Sequence, residues 1–194
     1  MILGMSVSAF TVLHVVLSLI GIVSGLVVLA GMLGSKTVHG WTALFLITTV
    51  LTSATGFLFP RDQILPSHIV GAISLVVLLI AIVAFYGFHL ARAWRWVYVA
   101  SALFALYLNV FVLVAQGFQK VAFLKALAPA PSDPPFVIAQ LVVLVAFVAL
   151  GSKALRSFHP AAGPPALRTA DPNTSVLTPP DRRPRPGSRR AIGC

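Results

Sequence analysis

The chain has 194 residues, 58% of them hydrophobic and 9% charged, with a mean hydropathy of +0.97, whereas an ordinary soluble domain carries about 25% charged residues. That balance excludes a soluble globular domain. Glutamate is absent, Asp62, Asp133, Asp171 and Asp181 are the whole acidic complement, and the net charge of +10 comes from 14 Lys and Arg. Most of these lie at the ends of apolar runs or in the C-terminal segment rather than on one basic face, which argues against a nucleic-acid partner. The single cysteine, Cys194, excludes an internal disulfide and a thiolate metal cluster.

Crossing a hydrocarbon core of about 30 Å takes about 20 apolar residues at about 1.5 Å each. Runs of that kind predict five transmembrane helices, near residues 8–33, 41–59, 67–90, 96–117 and 135–154, and with them an all-α integral membrane bundle over residues 1–157. No Lys or Arg precedes Lys36. A cleaved leader normally opens on a basic stretch, so the first run reads as a retained helix. Within it His14, Ser18, Gly21 and Gly25 recur at steps of 4, 3 and 4, one stripe of a helix. Gly21 and Gly25 have the small-residue spacing that lets membrane helices approach closely, which predicts a packing face and an interior position for His14.

The second run is the least apolar because it carries Thr42, Thr48, Thr49, Thr52, Ser53 and Thr55, whose hydroxyls can bond back to their own helix carbonyls. Gly34 and Gly40 bracket the turn before it; Pro60 and Pro66 bracket the turn after it, and His68 opens the third run. Trp94, Trp96 and Tyr98 beside Arg92 and Arg95 form an interfacial aromatic belt. In the fourth run Tyr98, Asn109 and Gln116 are 11 and 7 residues apart, again one stripe. Asn109 falls near mid-membrane, where an amide wants an inter-helix partner; the hydroxyl face of the second helix and Gln140 of the fifth are the candidates. Residues 118–128 read either as a short interfacial helix or as an extension of the fourth. Asp133 then serves as N-cap with Pro134 in the first helical position.

Residues 158–194, rich in Pro and Arg, cannot build a core and read as a disordered cytoplasmic tail. Its arginines are suited to anionic lipid headgroups at about 1 kcal/mol per basic residue near the surface. Lys36, Arg92, Arg95, Lys153, Arg156 and the tail fall on one side of the five predicted crossings, and Arg61, Lys120 and Lys125 on the other. By the positive-inside rule the N-terminus is outside.

That orientation puts His14 and His68 at one level and His39 and His89 at the other. Two stacked histidine pairs match the layout of bis-histidine haem ligation, so His14 and His68 are the candidate cofactor ligands, with haem b the cofactor they would hold. HVVLSLIGIV from residue 14 and HIVGAISLVV from residue 68 also echo one another, a faint sign of a parallel repeat. No H-E-x-x-H, G-x-S-x-G or C-x-x-C is present, nor a phosphate-cradling glycine loop, and the predicted spans contain no carboxylate. No metal site and no catalytic residue is expected.

The stretches HGWTALFLITTVLTSATGFLFP, LPSHIVGAISLVVL, WRWVYV, ALYLNVFVLVAQGFQK and LAPAPSDPPFVIAQ give residues 10–157 a resemblance to a group of small polytopic inner-membrane proteins of bacteria. The resemblance implies a location and a fold, and no activity. The leading expectation is a non-enzymatic scaffold or accessory subunit in the lipid bilayer, with a membrane-protein partner or a second copy of itself. The alternative is a haem- or quinone-linked redox protein using His14 and His68. A third class, a small transporter or lipid-pocket protein, would use Asn109 and Gln116.

Overall fold

The computed structural model describes residues 4–59 and 66–159. Arg61, Asp62 and most of the Pro/Arg-rich tail lie outside the described residues. Among the described residues six α-helices follow one another: α1 Val7–Leu33, α2 His39–Gly56, α3 Pro66–Ile82, α4 Trp94–Lys120, α5 Ala122–Leu127 and α6 Pro134–Ser157. No strand occurs among the described residues. The helices α1, α4 and α6, and the segment His68–Gly87, are long and apolar enough to cross a membrane. The 18 residues of α2 make about 27 Å of helix.

Local signals set the helix ends. The Ser6 hydroxyl accepts the Ala9 N–H at 3.2 Å and caps α1. At the other end Gly34 keeps a negative φ, and Ser35 takes the left-handed turn at φ 56°. Asp133 occupies the N-cap of α6 with proline next, but its carboxylate reaches backward and accepts the Ala130 N–H at 2.7 Å. Pro134 and Pro135 offer no N–H to cap, and the Phe136 N–H already bonds the Asp133 carbonyl. Both readings of residues 118–128 hold in part: α4 runs on to Lys120, breaks at the extended Val121, and α5 follows.

The third membrane segment ends earlier than residue 90. It passes at Val83–Gly87 into a π-helical turn, and His89, Leu90 and Arg92 all take left-handed backbone, with φ between 47° and 59°. Such a run of non-glycine residues costs energy and is held by its surroundings. Phe88 stacks flat on Trp94, centroids 3.8 Å apart. Leu90 packs on the core, its N–H on the Ala84 carbonyl.

The helices alternate in direction. Gly21 meets Thr49 and Asn109, Gly25 meets Phe45 and Leu106, and Gly151 meets Leu103, so α1 runs antiparallel to α2 and α4, and α6 antiparallel to α4. Helix α4 touches α1, α3, α5 and α6, while α2 lies between α1 and α3. The result is a ring of α1, α2, α3 and α4 with α6 laid against α4 and α1. Small residues on α4, Ala102 and Ala105, are buried at these seams beside Tyr98, Val99, Leu103 and Leu106. Of α6 only Gln140 and Ala154 are buried.

Among the glycines of the described residues, Gly25 leaves the least room for a side chain. A Cβ there would stand 2.6 Å from a Leu106 methyl and 2.9 Å from the buried Phe45 ring, against 3.1 Å from the Thr49 hydroxyl for one at Gly21. Overpacking costs about 1–3 kcal/mol, while alanine recovers about 1 kcal/mol of helix propensity over glycine. Gly25→Ala should therefore lower the melting temperature in detergent clearly more than Gly21→Ala; equal effects would mean that α1 does not pack as described.

Candidate functional site

The polar side chains gather on the inward face of α2. Thr42, Thr48, Thr49, Thr52 and Ser53 are buried, whereas Trp41, Leu44, Ile47 and Leu51 of the same helix are exposed. A water-soluble helix would present the opposite arrangement. Helical spacing accounts for it, since residues three and four apart share a face.

Three of these hydroxyls reach other helices. At the level of Gly21, the Asn109 Nδ2–H donates to Thr49 Oγ1 at 3.2 Å, and Asn109 is only 8% exposed. Nearer the start of α2, Thr42 Oγ1 and the Tyr98 hydroxyl are 3.4 Å apart, the long limit of a hydrogen bond. Ser53 donates to Ser74 of α3 at 3.2 Å. Ser24, Thr48 and Ser101 instead bond back to carbonyls of their own helices at 2.7 Å.

His14 is half-buried at the other end of the same seam. Its Nδ1 lies 2.8 Å from Thr55 Oγ1, which is also 2.7 Å from the Leu51 carbonyl. In the tautomer that carries its proton on Nδ1, His14 donates to the Thr55 oxygen and Nε2 keeps a lone pair for a ligand or proton; in the other tautomer Nδ1 accepts from the Thr55 hydroxyl. The ring also stands edge-on to Phe59. His68 lies almost parallel to Phe57, centroids 5.7 Å apart. The two imidazoles therefore engage different residues at and just beyond the end of α2, one from α1 and one from α3.

His39 and His89 separate: His39 packs on Phe85, while His89 is exposed in the left-handed loop. Among the described residues no three His, Cys, Asp or Glu side chains cluster as a metal site.

The stripe on α4 divides. Tyr98 and Asn109 are buried, but Gln116, about 10 Å beyond Asn109, is exposed. Gln140 is buried and is not the partner of Asn109. Its Nε2–H donates to the Phe111 carbonyl at 3.1 Å and joins α6 to α4, while its Oε1 has no partner among the described residues. Thr52 Oγ1 is likewise buried without a partner there. The pairing of Tyr98 with Thr42 escaped sequence reasoning, which assigned Tyr98 to the aromatic belt; the signal was its place on the Asn109 stripe.

Comparison with known proteins finds no match among family models, curated proteins or solved structures. The functional reading rests on the residues alone.

The Asn109–Thr49 bond is open to a direct measurement. In a double-mutant cycle of Asn109→Leu and Thr49→Val, the coupling should be about 0.6 kcal/mol and not above about 1.7, the range for such bonds in membrane bundles. Additive effects would mean that the amide and the hydroxyl do not meet.

Proposed function

We propose that this chain is a non-enzymatic scaffold or accessory subunit of the bacterial inner membrane, crossing it five times. The observation that carries this reading is the use made of the buried polar side chains. Among the described residues, apart from Thr52 Oγ1 and Gln140 Oε1, they go to other helices or to their own helix backbone, which leaves little polar chemistry there for turnover. The fifth crossing is α2, too rich in hydroxyls to stand out by hydropathy; its hydroxyls face inward and its outward stripe of Trp41, Leu44, Ile47 and Leu51 is apolar. That pattern suits lipid. The parallel run of α1 and α6 supports placing the two ends of the bundle on opposite sides, and the distribution of Lys and Arg supports a cytoplasmic C-terminus.

Reporter fusions after Lys36, Asp62, Arg92, Lys125 and Ser157 should report in, out, in, out, in. Matching reports at Lys36 and Asp62 would remove the crossing by α2. The role itself is tested on protein extracted in mild detergent, which should carry a stoichiometric partner or a second copy. The redox alternative predicts a Soret band that disappears in both His14→Ala and His68→Ala, because bis-histidine ligation fails when either ligand is lost. A monomer showing that behaviour would overturn the scaffold role.

A further inference from the structure

The break at Val121 builds a second polar feature, away from the hydroxyl seam. Residues at the end of α4, on α5 and in the loop before α6 line an open recess of about 250 Å³. Its lining includes Phe118 and Phe136, which meet edge to face with centroids 5.5 Å apart, together with Gln119, Lys120, Lys125 and Ala130. Lysines at helix ends ordinarily answer the helix dipole. Here two of them, from the last turns of successive helices, flank one recess. Both are exposed. Asp133 is the sole acidic side chain among the described residues; one of its carboxylate oxygens accepts the N–H of the lining residue Ala130, so one negative charge stands near the recess against the two ammonium groups. The recess thus offers ammonium groups to an anion beside an aromatic wall.

Its surroundings narrow the ligand. Phe123 is 74% exposed, and Val121 in the break before α5, Leu127 on α5 and Val137 and Leu141 in the first two turns of α6 are exposed too, an apolar rim at the end of helices long and apolar enough to cross a membrane. Pockets for drug-sized ligands run from about 300 Å³ upward, so this recess fits a headgroup and not a whole amphiphile. We propose that it binds the phosphate headgroup of an anionic phospholipid, with Lys120 and Lys125 on the phosphate and the acyl chains along the rim. Lysine serves phosphate as a point charge. The proposal rests on membrane location and is independent of the number of crossings, the orientation and the scaffold role. It is also separate from the attraction of the tail to lipid.

The test uses the full chain, so that the tail contributes equally throughout. Phosphatidylglycerol added to the purified protein should raise its melting temperature more than phosphatidylcholine does. Lys120→Gln with Lys125→Gln should remove at least half of that excess, and the paired Arg substitutions should retain it. Lys153→Gln with Arg156→Gln, at the opposite end of α6, should also retain it. Native mass spectrometry of the same variants counts bound phosphatidylglycerol directly and is insensitive to any change in baseline stability. The proposal is overturned if phosphatidylglycerol gives no excess, if the Lys120/Lys125 pair of glutamines keeps it, or if the Lys153/Arg156 pair loses as much. It is overturned equally if inorganic phosphate reproduces the shift, because the site would then take a free anion.

Discussion

A bilayer interior offers no water to a polar group, so whatever polar surface a membrane helix carries must be answered by its own backbone or by a neighbouring helix. The bundle is organised around that requirement. The hydroxyls of α2 are turned inward, where Thr42, Thr49 and Ser53 meet side chains of α4 and α3 and Thr48 returns to its own helix. Each inter-helix bond is modest by itself, about 0.6–2 kcal/mol in membrane bundles. Their larger consequence is register: Asn109 can reach Thr49 only when α2 and α4 are set at one relative height.

Close approach supplies the rest of the association. Between apolar helices in lipid there is little hydrophobic gain, and contact between packed atoms must do the work. Gly21 admits the hydroxyls of Thr48 and Thr49 and the amide of Asn109, while Gly25 admits the Phe45 ring and a Leu106 methyl. One glycine therefore makes room for the polar meeting point and the next for an apolar one, a single turn apart on α1. The hub position of α4 follows from Ala102 and Ala105, which let α4 sit close to several helices. In α6, which lies outside the ring, Gln140 gives the one side-chain hydrogen bond to α4.

The ends of the helices are built on other principles. Left-handed residues at Ser35, His89, Leu90 and Arg92 turn the chain on one side of the bundle. The last three are held by the stacking of Phe88 on Trp94 and by the anchoring of Leu90. On the other side Val121 breaks α4 and the two prolines open α6, so that lysines and aromatic rings surround a small recess instead of continuing a helix. Lysines and aromatic rings thus gather where the helices end, while most of the buried polar side chains among the described residues are engaged by a neighbouring helix or by their own backbone.

Composition and periodicity by themselves determined the all-helical membrane class and approximate helix limits. They also marked the packing stripe through Gly21 and Gly25 and the need of Asn109 for an inter-helix partner. These are properties of one helix and its solvent, written in the spacing of residues three and four apart. The sequence could name candidate partners for Asn109 but could not choose between Thr49 and Gln140, because that choice depends on the relative height and rotation of separate helices. Nor could it show that Gln116 leaves the interior while Tyr98 stays, that His14 and His68 take different partners at the end of α2, or that α4 runs to Lys120 and breaks at Val121 before α5 begins. Those outcomes were decided when the helices packed, since a side chain meets a neighbour only where two backbones have already been brought together.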